Sequence, residues 1–163
     1  MEQNLSWAVT GHQPHVLGGF TPEVHERLAF LARRWVTRTR PVRVLSGMAA
    51  GWDMAVAAAA VEAGVPLVAA KAWSGQGHEW PEEARGQLHR LLAAAEQVHV
   101  HAPKRTDGMW TARDGWVLEQ GGAVVALWSG AEGGTARAVR HADSLGLPVE
   151  NLWEEWLSAG GAA

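Results

Sequence analysis

The chain has 163 residues, and its 14 basic and 17 acidic side chains give a net charge of −3. This length predicts one domain with a substantial hydrophobic core, and the acidic balance argues against nucleic acid or an anionic membrane as a partner. Cysteine is absent, which excludes disulfides and thiolate chemistry, and neither a membrane-spanning apolar run nor a signal peptide is recognisable, so we expect a cytoplasmic protein.

Strand-like and helix-like segments alternate along the chain. The predicted strands are residues 7–10, 42–45, 66–72, 98–102, 123–128 and 148–152. The predicted helices are one that starts at Thr21 and Pro22 and keeps a helical period to Trp35, followed by 55–63, 81–96, 109–120 and 135–145. This alternation predicts a single α/β layered domain over residues 1–157 with a mainly parallel sheet, and a disordered tail over residues 158–163.

Residues 46–53, Ser-Gly-Met-Ala-Ala-Gly-Trp-Asp, join the second predicted strand to the helix after it. A strand, a glycine-containing turn and a helix N-terminus in this order favour an anion or nucleotide site. Gly47 and Gly51 permit close backbone approach and positive φ. Asp53 falls in or near the first helical turn, where it either caps the helix or accepts hydrogen bonds from a ligand.

Glycines also cluster after the first and fifth predicted strands. Because ligands of open parallel sheets bind beyond the carboxyl ends of the strands, these segments should meet at one edge. Residues 133–135 offer free backbone amides, a hydroxyl and a helix start, which suit a phosphate. Asp53 would repel a phosphate but suits ribose hydroxyls or a base. The predicted ligand-binding residues are Gly11, His12, Ser46, Gly47, Gly51, Asp53, Arg113, Ser129, Gly130, Gly133, Gly134 and Thr135.

Several charged residues have two interpretations. Arg113 and Lys71 either add positive charge to the ligand site or lie solvated at the surface. Glu79 and Trp80 follow the third strand and either form a wall of the site or serve the helix start and the core. Asp53 and Glu79 are the candidate catalytic carboxylates.

Histidines and arginines give weaker signals. His99 and His101 share one face of a predicted strand, but no nearby carboxylate completes a three-ligand set, so we predict no metal site and no required cofactor. The basic residues Arg33, Arg34, Arg38, Arg40 and Arg43 either contact nucleic acid or form the solvated end of a helix.

With these residues in place, the chain resembles the YpsA-like family of the SLOG superfamily. The superfamily also contains the DNA-processing protein A (Smf) family and the LOG phosphoribohydrolases. The matching segments cover nearly the whole chain in order; they are residues 10–14, 17–19, 46–53, 65–70, 80–81, 113–117, 126–130 and 133–135.

The resemblance implies a Rossmann-like three-layer sandwich that binds a nucleotide-derived ligand at its glycine-rich loops. LOG hydrolases follow a similar loop with a catalytic glutamate, whereas Ala138 stands in its place here. Cleavage of an N-glycosidic bond needs an acid or a carboxylate near that bond, so LOG-type hydrolysis is doubtful.

Three functions follow as hypotheses. The first is a nucleotide-binding module with a sensing or regulatory role. The second is a nucleotide-processing hydrolase that uses Asp53 as its carboxylate. The third is a single-stranded DNA binder like DNA-processing protein A, against which the acidic charge balance speaks. The ten tryptophans are compatible with an aromatic interface and with a homo-oligomer.

Overall fold

A computed structural model describes residues 5–161, and side chains over residues 5–158. Its strands are β1 (Ser6–Gly11), β2 (Arg43–Ser46), β3 (Leu67–Trp73), β4 (Gln97–Ala102), β5 (Ala123–Leu127) and β6 (Val149–Asn151). Its helices are α1 (Pro14–Leu17), α2 (Pro22–Thr39), α3 (Trp52–Glu62), α4 (Glu82–Ala94), α5 (Met109–Gln120), α6 (Gly134–Ser144) and α7 (Trp153–Gly161).

The described strands form one parallel sheet in the order β4–β3–β2–β1–β5–β6. The chain moves outward from β1 to β4, then returns to the other side of β1 to form β5 and β6. Strands β1 and β5 are therefore neighbours with connections that leave in opposite directions. Such a point of reversal opens a crevice at the carboxyl ends of the strands.

Helices cover both faces of this sheet and bury a hydrophobic core on each side. One core joins the sheet to α2, α3, α4 and α7, and its largest fully buried side chains include Trp35 and Trp52. The other joins the opposite face to α5 and α6 through residues such as Leu118 and Ala142. The predicted α/β fold with a parallel sheet is confirmed, as a Rossmann-like sandwich of helices, sheet and helices.

Most element boundaries agree with the sequence prediction to within a few residues. The Thr21 hydroxyl caps α2 by accepting a hydrogen bond from the Val24 N–H at 3.1 Å, as the Thr-Pro pair predicts. The sequence missed the four-residue helix α1 and the last helix, α7. Residues 158–161, part of the predicted disordered tail, are helical in the structure, and residues 162–163 lie outside the described range.

Ion pairs partly neutralise the arginine cluster at the end of α2 and the start of β2. Arg33 pairs with Glu62 at 2.9 Å, and Arg43 pairs with Glu96 at 3.1 Å. Arg38 holds two carboxylates, those of Glu150 and Glu155. Among the helices of the described range, none combines the length and the hydropathy that crossing a bilayer requires.

Candidate functional site

A cavity of about 420 Å³ lies at the carboxyl ends of the strands, and we call it the site cavity. Its volume is in the range of small-molecule sites. Five strand ends contribute to it, from β4 at one side, through β3, β2 and β1, to β5 at the other. Its lining residues include Thr10, Gly11, Gln13, Ala49, Asp53, Trp73, Gln76, Glu79, Trp80, Arg105, Trp110, Arg113, Gly134, Thr135 and Arg137.

The turn between β2 and α3 forms the floor of the site cavity. The Ser46 hydroxyl accepts from the Met48 N–H at 3.1 Å and donates to the Asp53 carbonyl at 2.9 Å, which ties the start of the turn to α3. Gly51 has φ of 97°, and a Cβ there would lie 2.6 Å from the carbonyl oxygen of His12. These residues shape the turn by packing and internal hydrogen bonds.

Arg113, on α5, fixes the same turn from the side. Its Nη1 donates to the Gly47 carbonyl oxygen, to the Ala70 carbonyl oxygen at 3.2 Å and to Gln76 Oε1 at 3.2 Å. Its Nε donates to Asp114 Oδ1 at 2.7 Å. The guanidinium is buried, and its hydrogen bonds hold the ends of β2 and β3 in a fixed relation.

Gln76 reinforces this arrangement and is buried as well. Its Nε2 donates to the carbonyl oxygens of Gly47 and Met48 at 2.9 Å each, and its Oε1 accepts from the Ala72 N–H at 2.7 Å. The amide therefore satisfies backbone groups of β3 and of the turn after β2.

Asp53 is the buried carboxylate of the site cavity. Only 6% of the surface of this residue is exposed, and its Oδ1 is buried without a hydrogen-bond partner within the described structure. Burial raises the pKa of Asp53 to about 7, although the nearby Arg113 guanidinium acts in the opposite direction. Oδ1 is enclosed by protein atoms in this conformation, while Asp53 as a residue lines the site cavity, so its carboxylate can accept a hydrogen bond from a ligand donor when it turns toward the cavity.

His12 connects the end of β1 to the loop after β5. Its Nε2 accepts from the Ser129 backbone N–H at 2.9 Å and lies 2.9 Å from the Ser129 hydroxyl. A ring nitrogen that accepts from a backbone amide is unprotonated, which makes the imidazole neutral. Burial and the neighbouring His15 lower the pKa of His12, in agreement with that state. His12 does not line the site cavity.

The N-terminus of α6 faces the site cavity opposite the β3 and β4 loops. Gly134 and Thr135 line the cavity at the start of this 11-residue helix, and Arg137 adds a cation one turn in. Exposed backbone amides and the helix dipole favour a bound anion at such an end. The loop carboxylate Glu132 is paired with Arg140 at 2.5 Å, outside the cavity lining.

Aromatic side chains line the opposite end of the site cavity. Trp73 ends β3, Trp80 follows in the next loop, and Trp110 opens α5 with 40% of its surface exposed. His78 packs edge-on against Trp73 with 5.5 Å between ring centres. Arg105 lines the cavity near this end, and the Arg113 guanidinium lies 5.6 Å from the centre of the Trp110 ring. Aromatic faces beside cations provide stacking surfaces for flat ligand groups.

The structure divides the residues predicted to bind a ligand. Gly11, Asp53, Arg113, Gly134 and Thr135 line the site cavity, and so do Glu79 and Trp80. Those predicted residues that lie outside the cavity lining are His12, Ser46, Gly47, Gly51, Ser129, Gly130 and Gly133.

A second cavity of about 510 Å³ lies between α2, α3 and α4, on the other side of the turn. Its lining includes Gly51 together with apolar side chains such as Phe20 and Met54. The turn between β2 and α3 therefore separates a polar cavity from a more apolar one.

Two other predicted positions have structural roles. Ala138 is buried in the core under α6, so its methyl group packs inside the protein. Lys71 donates to the Ser74 carbonyl oxygen at 2.6 Å, and burial lowers the pKa of its ammonium group. No group of three or more metal-ligating side chains occurs in the part of the chain that the structure describes.

Sequence reasoning missed Gln76, Arg105, Trp110 and Arg137 as members of the site cavity. The position of Arg137, two residues after Thr135 in the first turns of α6, was a usable signal. The sequence holds no comparable signal for Gln76, because its role depends on hydrogen bonds to residues 28 and 29 positions away in the sequence.

Comparison with known proteins identifies the fold. No protein-family model matches the chain, and no curated protein matches it. Among solved structures, DNA processing protein A from Helicobacter pylori, described by its single-stranded DNA binding mode, gives a TM-score of 0.63 at 17% identity. DNA processing protein A (DprA) from Streptococcus pneumoniae gives 0.64 at 13%, and the structural-genomics protein TM1055 gives 0.59 at 21%.

These similarities extend over most of the chain. They cover 89%, 89% and 88% of it, and 64%, 50% and 71% of the respective known chains. The chain thus spans about half to two thirds of the two DNA processing proteins. At these identities the comparison shows the fold alone, a Rossmann-like α/β domain.

The expectation that nucleic acid is not a partner is contradicted by this comparison. A protein with the same fold, from Helicobacter pylori, binds single-stranded DNA. The expectation was based on a whole-chain net charge of −3. An average charge does not reveal local cations, and Arg105 and Arg137 both line the site cavity.

Proposed function

We propose that the chain binds a small nucleotide-derived ligand in the site cavity and acts as a sensing or regulatory module. The observation that carries this proposal is the pairing of two complementary groups in one cavity. The N-terminus of α6 favours an anion, and the buried Asp53 carboxylate with its unpartnered oxygen favours a hydrogen-bond donor. A nucleotide carries both, a phosphate and hydroxyl or amine donors.

Binding without turnover fits the residues better than hydrolysis. Position 138, where LOG hydrolases have their glutamate, is a buried alanine. Asp53 is the buried carboxylate of the cavity, because the side chains of Asp114 and Glu79, which also line it, are 35% and 73% exposed. Together with the motifs of residues 46–53 and 133–135, this leads us to group the chain, as a proposal, with the YpsA-like proteins.

The test is thermal unfolding by calorimetry with a panel of nucleotides, including AMP, the other nucleoside monophosphates, cyclic nucleotides, NAD and ADP-ribose. A ligand at about 100 times its Kd adds roughly 2.7 kcal/mol to the free energy of unfolding. For a domain of this size the Tm should rise by about 5–10 °C. A panel without any shift would contradict nucleotide binding, and released base or ribose would contradict a purely binding role.

Arg137→Gln should weaken a phosphorylated ligand by roughly tenfold, because it removes a cation beside the N-terminus of α6. Arg140→Gln is the matched control, since Arg140 lies on the same helix, pairs with Glu132 and stays outside the site cavity. Isothermal titration calorimetry measures both variants. Equal loss of affinity in the two would mean that only the general charge of α6 matters.

Single-stranded DNA is the second candidate ligand, favoured by the fold shared with the Helicobacter pylori protein. Trp73, Trp80 and Trp110 could stack bases, and Arg105 and Arg137 could contact phosphates. Fluorescence anisotropy of a labelled oligothymidine at 50 and 200 mM salt tests this candidate. Binding that weakens with salt and with Trp110→Ala supports it, and no anisotropy change at 50 mM salt excludes it.

A further inference from the structure

The lining of the site cavity changes in character along the edge of the sheet. The β4 and β3 ends supply tryptophans, the β2 end supplies Asp53, and the β5 end supplies the N-terminus of α6 with Gly134 and Thr135. Because neighbouring strands lie about 4.8 Å apart, the β2 end is roughly 10 Å from the β5 end, with β1 between them. Asp53 therefore lies between an aromatic end and an anion-binding end.

A nucleotide has its parts in this same order: base, ribose and phosphate. A phosphate at Asp53 would meet a buried carboxylate, and a base at the N-terminus of α6 would leave the amides there without an anion. The arrangement with the base among Trp73, Trp80 and Trp110 places the middle of the nucleotide at Asp53. The middle of a ribonucleotide is a sugar with two neighbouring hydroxyl donors.

We propose that Asp53 binds the 2′- and 3′-hydroxyls of the ligand's ribose and thereby selects ribonucleotides over deoxyribonucleotides. This inference rests on the proposed function, since it names the ligand class of the same cavity. A carboxylate accepts two hydrogen bonds side by side, and two vicinal hydroxyls supply them. Asp53 lines the site cavity, and because its Oδ1 is enclosed by protein atoms, the carboxylate must turn toward the cavity for that oxygen to gain the partner that it lacks in the described structure.

The protonation state of Asp53 gives this inference a second signature. Only the ionised carboxylate accepts from both hydroxyls, yet burial raises the pKa of Asp53 to about 7. The charged and titratable groups around it are Arg113 and Asp114 on α5, His78 and Glu79 after β3, Arg105 after β4 and Arg137 on α6. Ribose binding should therefore release a fraction of a proton at pH 7 and less at pH 8.5.

The experiment compares each nucleoside monophosphate with its 2′-deoxy counterpart by isothermal titration calorimetry at pH 8.5. For the native protein we expect the ribonucleotide to bind roughly tenfold or more tightly, because a hydrogen bond to a charged group is lost with the 2′-hydroxyl. Titrations at pH 7 in buffers of different ionisation enthalpy measure the released proton.

Asp53→Asn should bring the two affinities within about twofold of each other and abolish the proton release. Asp143→Asn is the matched control, because Asp143 is an exposed residue on α6 outside the site cavity. It should keep the preference of the native protein. Circular dichroism of both variants confirms that each is folded.

The outcomes separate the two proposals. Binding of ribo- and deoxyribonucleotides with equal affinity would overturn the role of Asp53 and leave nucleotide binding intact. A preference that survives in Asp53→Asn would overturn it as well, and would point to a donor on the base or to another partner for the hydroxyl. Failure of every nucleotide to bind would overturn both proposals.

Discussion

At the scale of single residues, the buried carboxylate of Asp53 lowers the stability of the unliganded fold, and a bound ligand offsets this loss. Keeping an ionised carboxylate buried costs free energy, and the protein recovers that cost only when a donor binds to it. Burial is the main reason for the raised pKa, while Arg113 moderates it without donating a hydrogen bond to Oδ1. The site cavity thus contains a carboxyl whose protonated form is favoured by its burial.

Asp53→Asn should raise the free energy of unfolding at pH 8.5. The pKa of Asp53 is about 7 in the folded protein, against 3.8 for the ordinary group. The free energy of unfolding therefore falls as the pH rises from about 4 to 7, because the folded state resists ionisation of this carboxyl. The loss is on the order of 4 kcal/mol at most, and asparagine escapes it at the cost of about 1–3 kcal/mol for its own buried amide.

Urea unfolding of the native protein and Asp53→Asn at pH 5 and pH 8.5 measures this difference. The stability advantage of the variant should grow with pH. His12, whose pKa is lowered, acts in the opposite direction by costing stability below about pH 6.5, but it is present in both proteins and cancels. An advantage that is the same at both pH values would show that Asp53 is ionised throughout.

At the scale of elements, the unit of β2, turn and α3 was predictable in kind but not in its contacts. Its glycines and its strand-to-helix order are visible in residues 46–53. The reason for Gly51 is a close approach to the backbone of His12, which lies on another strand end. Arg113 reaches Gly47 across 66 residues of sequence, and local periodicity contains no information on such contacts.

Gly51→Ala should destabilise the protein by several kcal/mol. It combines a φ of 97° with a methyl group 2.6 Å from the His12 carbonyl oxygen. Gly130→Ala is the control, because Gly130 has a similar φ of 95° with nothing within 4 Å of the added Cβ. The control should lose only about 1–2 kcal/mol. Equal losses in urea unfolding would mean that the turn relaxes away from His12.

At the scale of the whole molecule, the alternation of strands and helices was enough to predict the layered parallel sheet. The last helix, α7, was not predicted. It begins directly after the three-residue strand β6, and its sequence runs into glycines and alanines, which do not predict a helix. Its place depends on Trp156, which is buried against the α2 side of the sheet, and on Arg27, whose guanidinium lies 3.8 Å from that ring. These contacts are long-range as well.

Trp156→Ala should lower the free energy of unfolding by about 3–5 kcal/mol, as expected for a large core side chain. Leu157→Ala, at an exposed neighbouring position, should change it by about 0.5 kcal/mol or less. Urea unfolding measured by circular dichroism, and thermal unfolding measured by calorimetry, should each show a single transition for each variant. Two separate transitions would contradict a single cooperative domain.

The placement of the tryptophans also gives the molecule a built-in optical reporter. Trp7, Trp35, Trp52 and Trp156 are buried in the core and should emit at short wavelength whatever the ligand. Trp73, Trp80 and Trp110 border the site cavity, partly in contact with water, and should supply part of the long-wavelength emission, together with the partly exposed Trp116, Trp128 and Trp153 away from the cavity. A base stacked on the cavity tryptophans should quench their share of the long-wavelength fluorescence, so ligand binding can be followed in the emission spectrum of the unlabelled protein.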